Sequence, residues 1–146
     1  MKYRTLSVLL LLGCVCFLDA GQNETDLDKL QGVWQIVSLV EKGKEIPATD
    51  TAVLDITIAK DKFSVSEKGK VAVEYSIKLD PTKTPKAIDF THEGGENKGK
   101  TEPGIYTFEK GQLRLILDED RKGRPTVFEG KETASYSVMV LKKKGK

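Results

Sequence analysis

The sequence predicts an all-β protein: one antiparallel meander of about eight to nine short strands closed into a barrel, with a short helical turn before the first strand. Three observations carry this. Apolar and polar residues alternate along many short stretches, most cleanly where Val71, Val73, Tyr75, Ile77 and Leu79 fall on one side and Ala72, Glu74, Ser76 and Lys78 on the other. A period of two marks a strand with one dry and one wet face. Turn signals follow at short intervals, among them Lys42-Gly43-Lys44, Asp61-Lys62, Lys68-Gly69-Lys70, Asp80-Pro81, Gly94-Gly95, Lys110-Gly111 and Lys122-Gly123, and tight turns join antiparallel neighbours. Between them no segment is long enough for the helix that a parallel crossover needs.

The elements are expected in this order. Residues 1–20, MKYRTLSVLLLLGCVCFLDA, place Lys2 and Arg4 before an apolar run from Leu6 to Leu18. That is the pattern of an export signal, and the run falls short of the roughly 18 or more apolar residues of a membrane span. A cut after Ala20 starts the mature chain at Gly21. Leu11-Leu12-Gly13-Cys14 offers a second processing, lipidation at Cys14, which would tie the protein to a membrane; the apolar continuation Val15–Leu18 speaks for the first. Either way the destination is periplasmic or extracellular. Residues 21–26 read as a linker and 27–144 as one domain, its first helical turns running from Asp26 to Gln31 until Gly32 stops them. Strands are then expected at 34–40, 53–58, 63–65, 71–79, 87–90, 105–108, 113–117, 126–128 and 136–141.

A sheet of this size hides its apolar face by stacking on a second sheet or by closing on itself. Gly32-Val33-Trp34 favours closure, because a glycine lets the chain bend sharply while the indole behind it covers the floor of the core. Pro103 removes an amide donor and Gly104 relaxes the backbone, so strand pairing is expected only after them.

Composition excludes several classes. Both cysteines, Cys14 and Cys16, lie in the export signal, so the mature chain has no disulfide framework and relies on packing. Without Lys2, Arg4 and Asp19 the chain keeps 22 basic and 21 acidic residues, near neutrality, with charges scattered rather than gathered into the stripe that nucleic acid requires. The basic tail from Lys142 to Lys146 reads as a solvated end. A monomer is expected.

Gly32-Val33-Trp34 followed by an antiparallel meander resembles the lipocalins and the wider calycin group. Over residues 27 to 144 the chain is similar to an uncharacterised lipocalin-like domain family numerous in planctomycete bacteria. The residues that carry the likeness are Leu30-Gln31-Gly32-x-Trp34, Asp61-Lys62-Phe63, Tyr75-x-Ile77-x-Leu79-Asp80-Pro81, Pro85-Lys86-Ala87-Ile88-Asp89, Gly99-Lys100-Thr101-x-Pro103-Gly104-Ile105-Tyr106, Leu113-x-Leu115, Arg124-Pro125-x-x-Phe128 and Leu141-Lys142. The resemblance implies a calycin-like barrel and an exported protein, with no activity to carry over. It also implies that a basic residue of the last strand, Lys142 or Lys143, packs on the tryptophan; Gly32, Trp34 and Lys142 are taken as the plug.

Signals for chemistry are thin. His92 is the single histidine, in Thr91-His92-Glu93-Gly94-Gly95-Glu96, and reads as a solvated loop residue rather than a zinc ligand or catalytic base. Gly94–Lys100 lacks the spacing of a phosphate loop. Asp118-Glu119-Asp120 is followed by Arg121 and Lys122 and reads as a mixed-charge turn rather than a calcium loop. The interior remains. Trp34, Ile36, Tyr75, Ile77, Phe90, Tyr106, Phe108 and Leu115 are the inward candidates, and Tyr75, Phe90, Tyr106 and Phe108 are expected to meet any ligand. The expectation is a non-enzymatic barrel, without cofactor or metal, that binds a small apolar or amphipathic molecule; the alternative is a packed barrel acting through its outer surface.

Overall fold

The structure is a computed structural model that describes residues 24–128 and 135–145. The expected export signal, with Cys14 and Cys16, and the first residues of the expected linker lie outside the described residues. Helix α1 spans Asp26–Leu30, β1 Gly32–Glu41, β2 Lys44–Glu45, α2 Ala48–Thr51, β3 Leu54–Ala59 and β4 Lys62–Glu67. There follow β5 at Lys70–Asp80, β6 at Ala87–His92, β7 at Thr101–Glu109, β8 at Gln112–Asp118 and β9 at Tyr136–Lys143. Every pairing is antiparallel, and β1 pairs with both β3 and β9, so eight strands close into a barrel. The short β2 is an extra strand folded back on β1.

Closure puts one face of each strand inside. Ile56 and Ile58 of β3, Phe63 of β4, Ile77 of β5, Phe90 of β6, Tyr106 of β7, Leu113 and Leu115 of β8 and Leu141 of β9 form one buried core with Leu30 and Trp34. Period-two alternation in the sequence is thus the alternation of lumen and outer face, although on β7 and β8 the outward Ile105 and Ile116 are buried as well. The hairpin turns at Lys42-Gly43, Lys68-Gly69 and Lys110-Gly111 hold both residues at positive φ, the backbone that suits the twist of two-residue hairpins.

Four expectations are corrected. Residues 126–128 form no strand: β7 and β8 already have partners on both edges, so no free edge remains for them. Arg124 instead binds this segment to the barrel wall, its Nη1 donating to the carbonyls of Ile88 at 3.0 Å and Gly104 at 2.6 Å and its Nη2 to Asp89 at 2.6 Å. Strand β7 begins at Thr101 rather than after Gly104, with Glu102 opposite Phe90 and Pro103 opposite Asp89. Gly104 is required for another reason: a Cβ there would lie 2.4 Å from a Leu117 methyl and 2.6 Å from the Ile116 carbonyl oxygen. Asp26 opens α1, as expected of the helical turns, so that the linker bound of 21–26 overlaps the helix by one residue, and α2 and β2 fall where no element was expected.

Strand β1 carries a bulge. Its register against β9 shifts between Ile36 and Ser38, leaving Val37 45% exposed. The inward side therefore changes phase, from Trp34 and Ile36 before the bulge to Leu39 and Glu41 beyond it. A bulge re-aims the side chains that follow it, and here it turns a carboxylate toward the lumen.

Candidate functional site: the open end of the barrel

The two ends of the barrel differ, and the closed end explains the Gly-x-Trp step. Thr25 and Asp28 form a reciprocal capping box, the Thr25 hydroxyl accepting from the Asp28 amide at 3.2 Å and the Asp28 carboxylate from the Thr25 amide at 3.0 Å. Such a cap satisfies amides that a five-residue helix would otherwise leave open. Leu30 then sits fully buried over the floor. Gly32 turns the chain at φ +121, a region that L side chains rarely adopt. This brings Trp34 beneath the helix, its Nε1 donating to the Leu30 carbonyl at 2.8 Å. Gln31 fastens the same corner to the β3–β4 turn through the Lys60 amide and carbonyl.

The basic partner of the indole is Lys143, not Lys142. Lys143 pairs directly with Trp34 in the β1–β9 register and so shares its face, whereas Lys142 pairs with Gln35 and projects to the other side. The Lys143 Nζ lies 5.4 Å from the indole centroid and donates to the Lys29 carbonyl at 3.2 Å.

Tyr106 also belongs to the floor. Its hydroxyl donates to Asp26 Oδ2 at 2.8 Å, and the Lys86 ammonium donates to the same oxygen at 2.6 Å. Burial pushes the Asp26 carboxyl up, but the bonds from Lys86 and Tyr106 and the charges of Lys86 and Lys29 outweigh it and hold the group below its ordinary value. Burial, then the bond to Asp26, pushes the Tyr106 phenol up. Its polar tip is committed to holding α1, and Phe108 stacks edge-on beside it at 6.0 Å. Neither residue lines the open cavity.

That cavity occupies the other end, with a volume of about 190 Å³. Its inner wall is an aromatic layer. Phe63 and Phe90 meet edge-to-face with centroids 4.9 Å apart, and Tyr75 packs edge-on against Phe90 at 5.5 Å. Leu39, Leu115 and Met139 continue the apolar lining, and Glu41, Glu102 and Glu119 stand among them. Of the four expected ligand contacts, Tyr75 and Phe90 are here.

His92 is not a solvated loop residue. It ends β6, its side chain is 11% exposed, and its Nε2 donates to Glu102 Oε1 at 2.6 Å. Its ring lies 4.7 Å from that of Tyr75. Burial, followed by the charges of Glu102, Glu119 and Glu41, pushes the Tyr75 phenol up to about 12. Burial and the nearby Glu41 raise the Glu119 carboxyl above its ordinary value, against the pull of Lys42 at 3.9 Å.

The sequence reading missed all three glutamates. Glu102 is in phase with the inward Tyr106 four residues on, but the expectation of a late strand start hid it. Glu41 is revealed only by the bulge. Glu119 reads as part of a charged turn, whereas that turn is organised by Asp118, which accepts from the amides of Asp120, Lys122 and Gly123 at 3.0, 2.8 and 2.7 Å, and by the Lys122–Asp120 pair at 3.0 Å.

A second hollow of about 370 Å³ lies outside the barrel, between the β5–β6 connection and Arg124–Thr126. Of the charges that line it, Asp89 and Arg124 satisfy each other, and Lys78, Asp80 and Lys83 complete the set. Among the described residues no group of His, Cys, Asp or Glu converges closely enough to hold a metal ion, and no helix is long and apolar enough to cross a membrane.

Fold and site together define a closed antiparallel barrel with a plugged floor and a hollow, acid-rimmed mouth. Compared with protein families, curated proteins and solved structures, the chain finds no match in any of the three.

Proposed function

We propose that this protein is an exported, lipocalin-like carrier that takes up one small apolar or amphipathic molecule at the open end of its barrel, without catalysing a reaction. The observation that carries this reading is the interior cavity of about 190 Å³ above a fully packed floor. Small-molecule sites are concave, mostly apolar and furnished with a few polar groups that fix orientation. Phe63, Tyr75 and Phe90 provide the apolar wall and the mouth carboxylates the polar groups. A space of roughly 150 Å³ with apolar walls accepts a molecule the size of benzene, which sets the scale of the occupant.

Export is supported by the Lys2/Arg4 and Leu6–Leu18 pattern. The test is native mass spectrometry of the protein recovered from the exported fraction. An extra mass that leaves on denaturation is expected. A bare mass would favour the alternative, a barrel that acts through its outer surface.

A further inference from the structure

Among the described residues, each charged side chain that lines the cavity is a glutamate: Glu41 at the end of β1, Glu102 at the start of β7 and Glu119 just beyond β8. Three separate elements thus bring the same charge to one opening. Compensation within the barrel is partial. His92 occupies one oxygen of Glu102, and Lys42, 64% exposed, approaches Glu119 no closer than 3.9 Å. Glu41 has no ion pair among the described residues.

A ligand that seals this mouth strips water from the carboxylates. A neutral or anionic ligand leaves that loss unrepaid, whereas a cation repays it and gains from the low-dielectric surroundings. The aromatic layer adds a second preference, since the faces of Phe and Tyr attract an organic cation. The carboxylates are too dispersed to form a metal-binding group, which suits a charge spread over an organic head rather than a bare ion.

We propose, on the ligand-binding reading above, that the occupant is a small organic cation. An amine or ammonium group sits among Glu41, Glu102 and Glu119, and an apolar body about the size of one aromatic ring lies against Phe63, Tyr75 and Phe90.

The test is calorimetric titration of the purified protein with three probes that share a phenylethyl body and differ in charge: 2-phenylethylamine, 2-phenylethanol and the slightly larger 3-phenylpropanoate. The amine is expected to bind about tenfold or more tightly than the alcohol, with the carboxylate weakest, and the amine's advantage should shrink as salt is raised. In Glu119→Gln and Glu41→Gln the amine's advantage over the alcohol should fall severalfold. Glu41 is exposed, so its variant tests the charge without disturbing the core. Equal binding of alcohol and amine, or an amine preference that survives both substitutions, overturns the cationic assignment and leaves a ligand-binding barrel. Failure of all three probes to bind overturns the ligand-binding reading itself.

Discussion

Trp34 and Asp26 do most to hold the floor, and each can be tested singly. The indole is 3% exposed, bonded to Leu30 and covered by Lys143. Trp34→Ala should therefore cost about 3–5 kcal/mol, the range for emptying a large buried aromatic site, as read from chemical denaturation. Tyr106→Phe removes one hydrogen bond to a charged acceptor while Lys86 still serves Asp26, so a loss of about 1.5–3 kcal/mol is expected in the same assay. Asp26 makes the stability of the floor pH-dependent. Its folded pKa lies below its ordinary 3.8, so the stabilisation is complete above the unfolded pKa and disappears as pH falls through the folded one. The stability gap between the wild type and Asp26→Asn should be flat at neutral pH and begin to close only near pH 3.8. A gap that closes on the alkaline side would contradict this assignment.

Strands were legible wherever alternation ran unbroken, and obscure wherever something local shifted its phase. The stretch from Val71 to Leu79 lies within β5, and Lys42-Gly43, Lys68-Gly69 and Lys110-Gly111 form the hairpin turns expected of them, whereas Lys122-Gly123 joins no two strands among the described residues. The bulge in β1 is different, because its cause is the pairing with β9, more than a hundred residues away. No local signal announces it, so Glu41 could not be placed at the cavity mouth. Pro103-Gly104 was read as an interruption, but Gly104 marks the point where β7 and β8 pack too closely for any side chain. Gly104→Ala should destabilise by about 1–3 kcal/mol or more through overpacking against Leu117, measurable as a lowered denaturation midpoint. Equal stability of the variant would restore the view of Gly104 as a hinge at the start of the strand. The choice between Lys142 and Lys143 was open for a related reason: adjacent residues of a strand face opposite sides, and only the register against Trp34 decides which one covers it.

Over the whole molecule, the barrel separates stability from binding. Leu30, Trp34 and Tyr106 close one end beneath α1, while the opposite end keeps a cavity whose charged groups are all acidic among the described residues. The sequence conveyed the barrel and four residues of the cavity lining, Ile36, Tyr75, Phe90 and Leu115, because apolar periodicity reports burial. It did not convey the acid rim, because a glutamate in a strand looks the same whether it faces water or the lumen. The ligand-binding reading is tested most directly by NMR, following isotope-labelled methyl groups during titration with 2-phenylethylamine. Leu39, Leu115 and Met139 at the open end should shift in a saturable way, while Leu30 and Leu141 at the plugged end stay fixed. Shifts confined to outward-facing methyls such as Val33 and Val37, or no saturable shift with this amine, 2-phenylethanol or 3-phenylpropanoate, would contradict a binding site within the barrel.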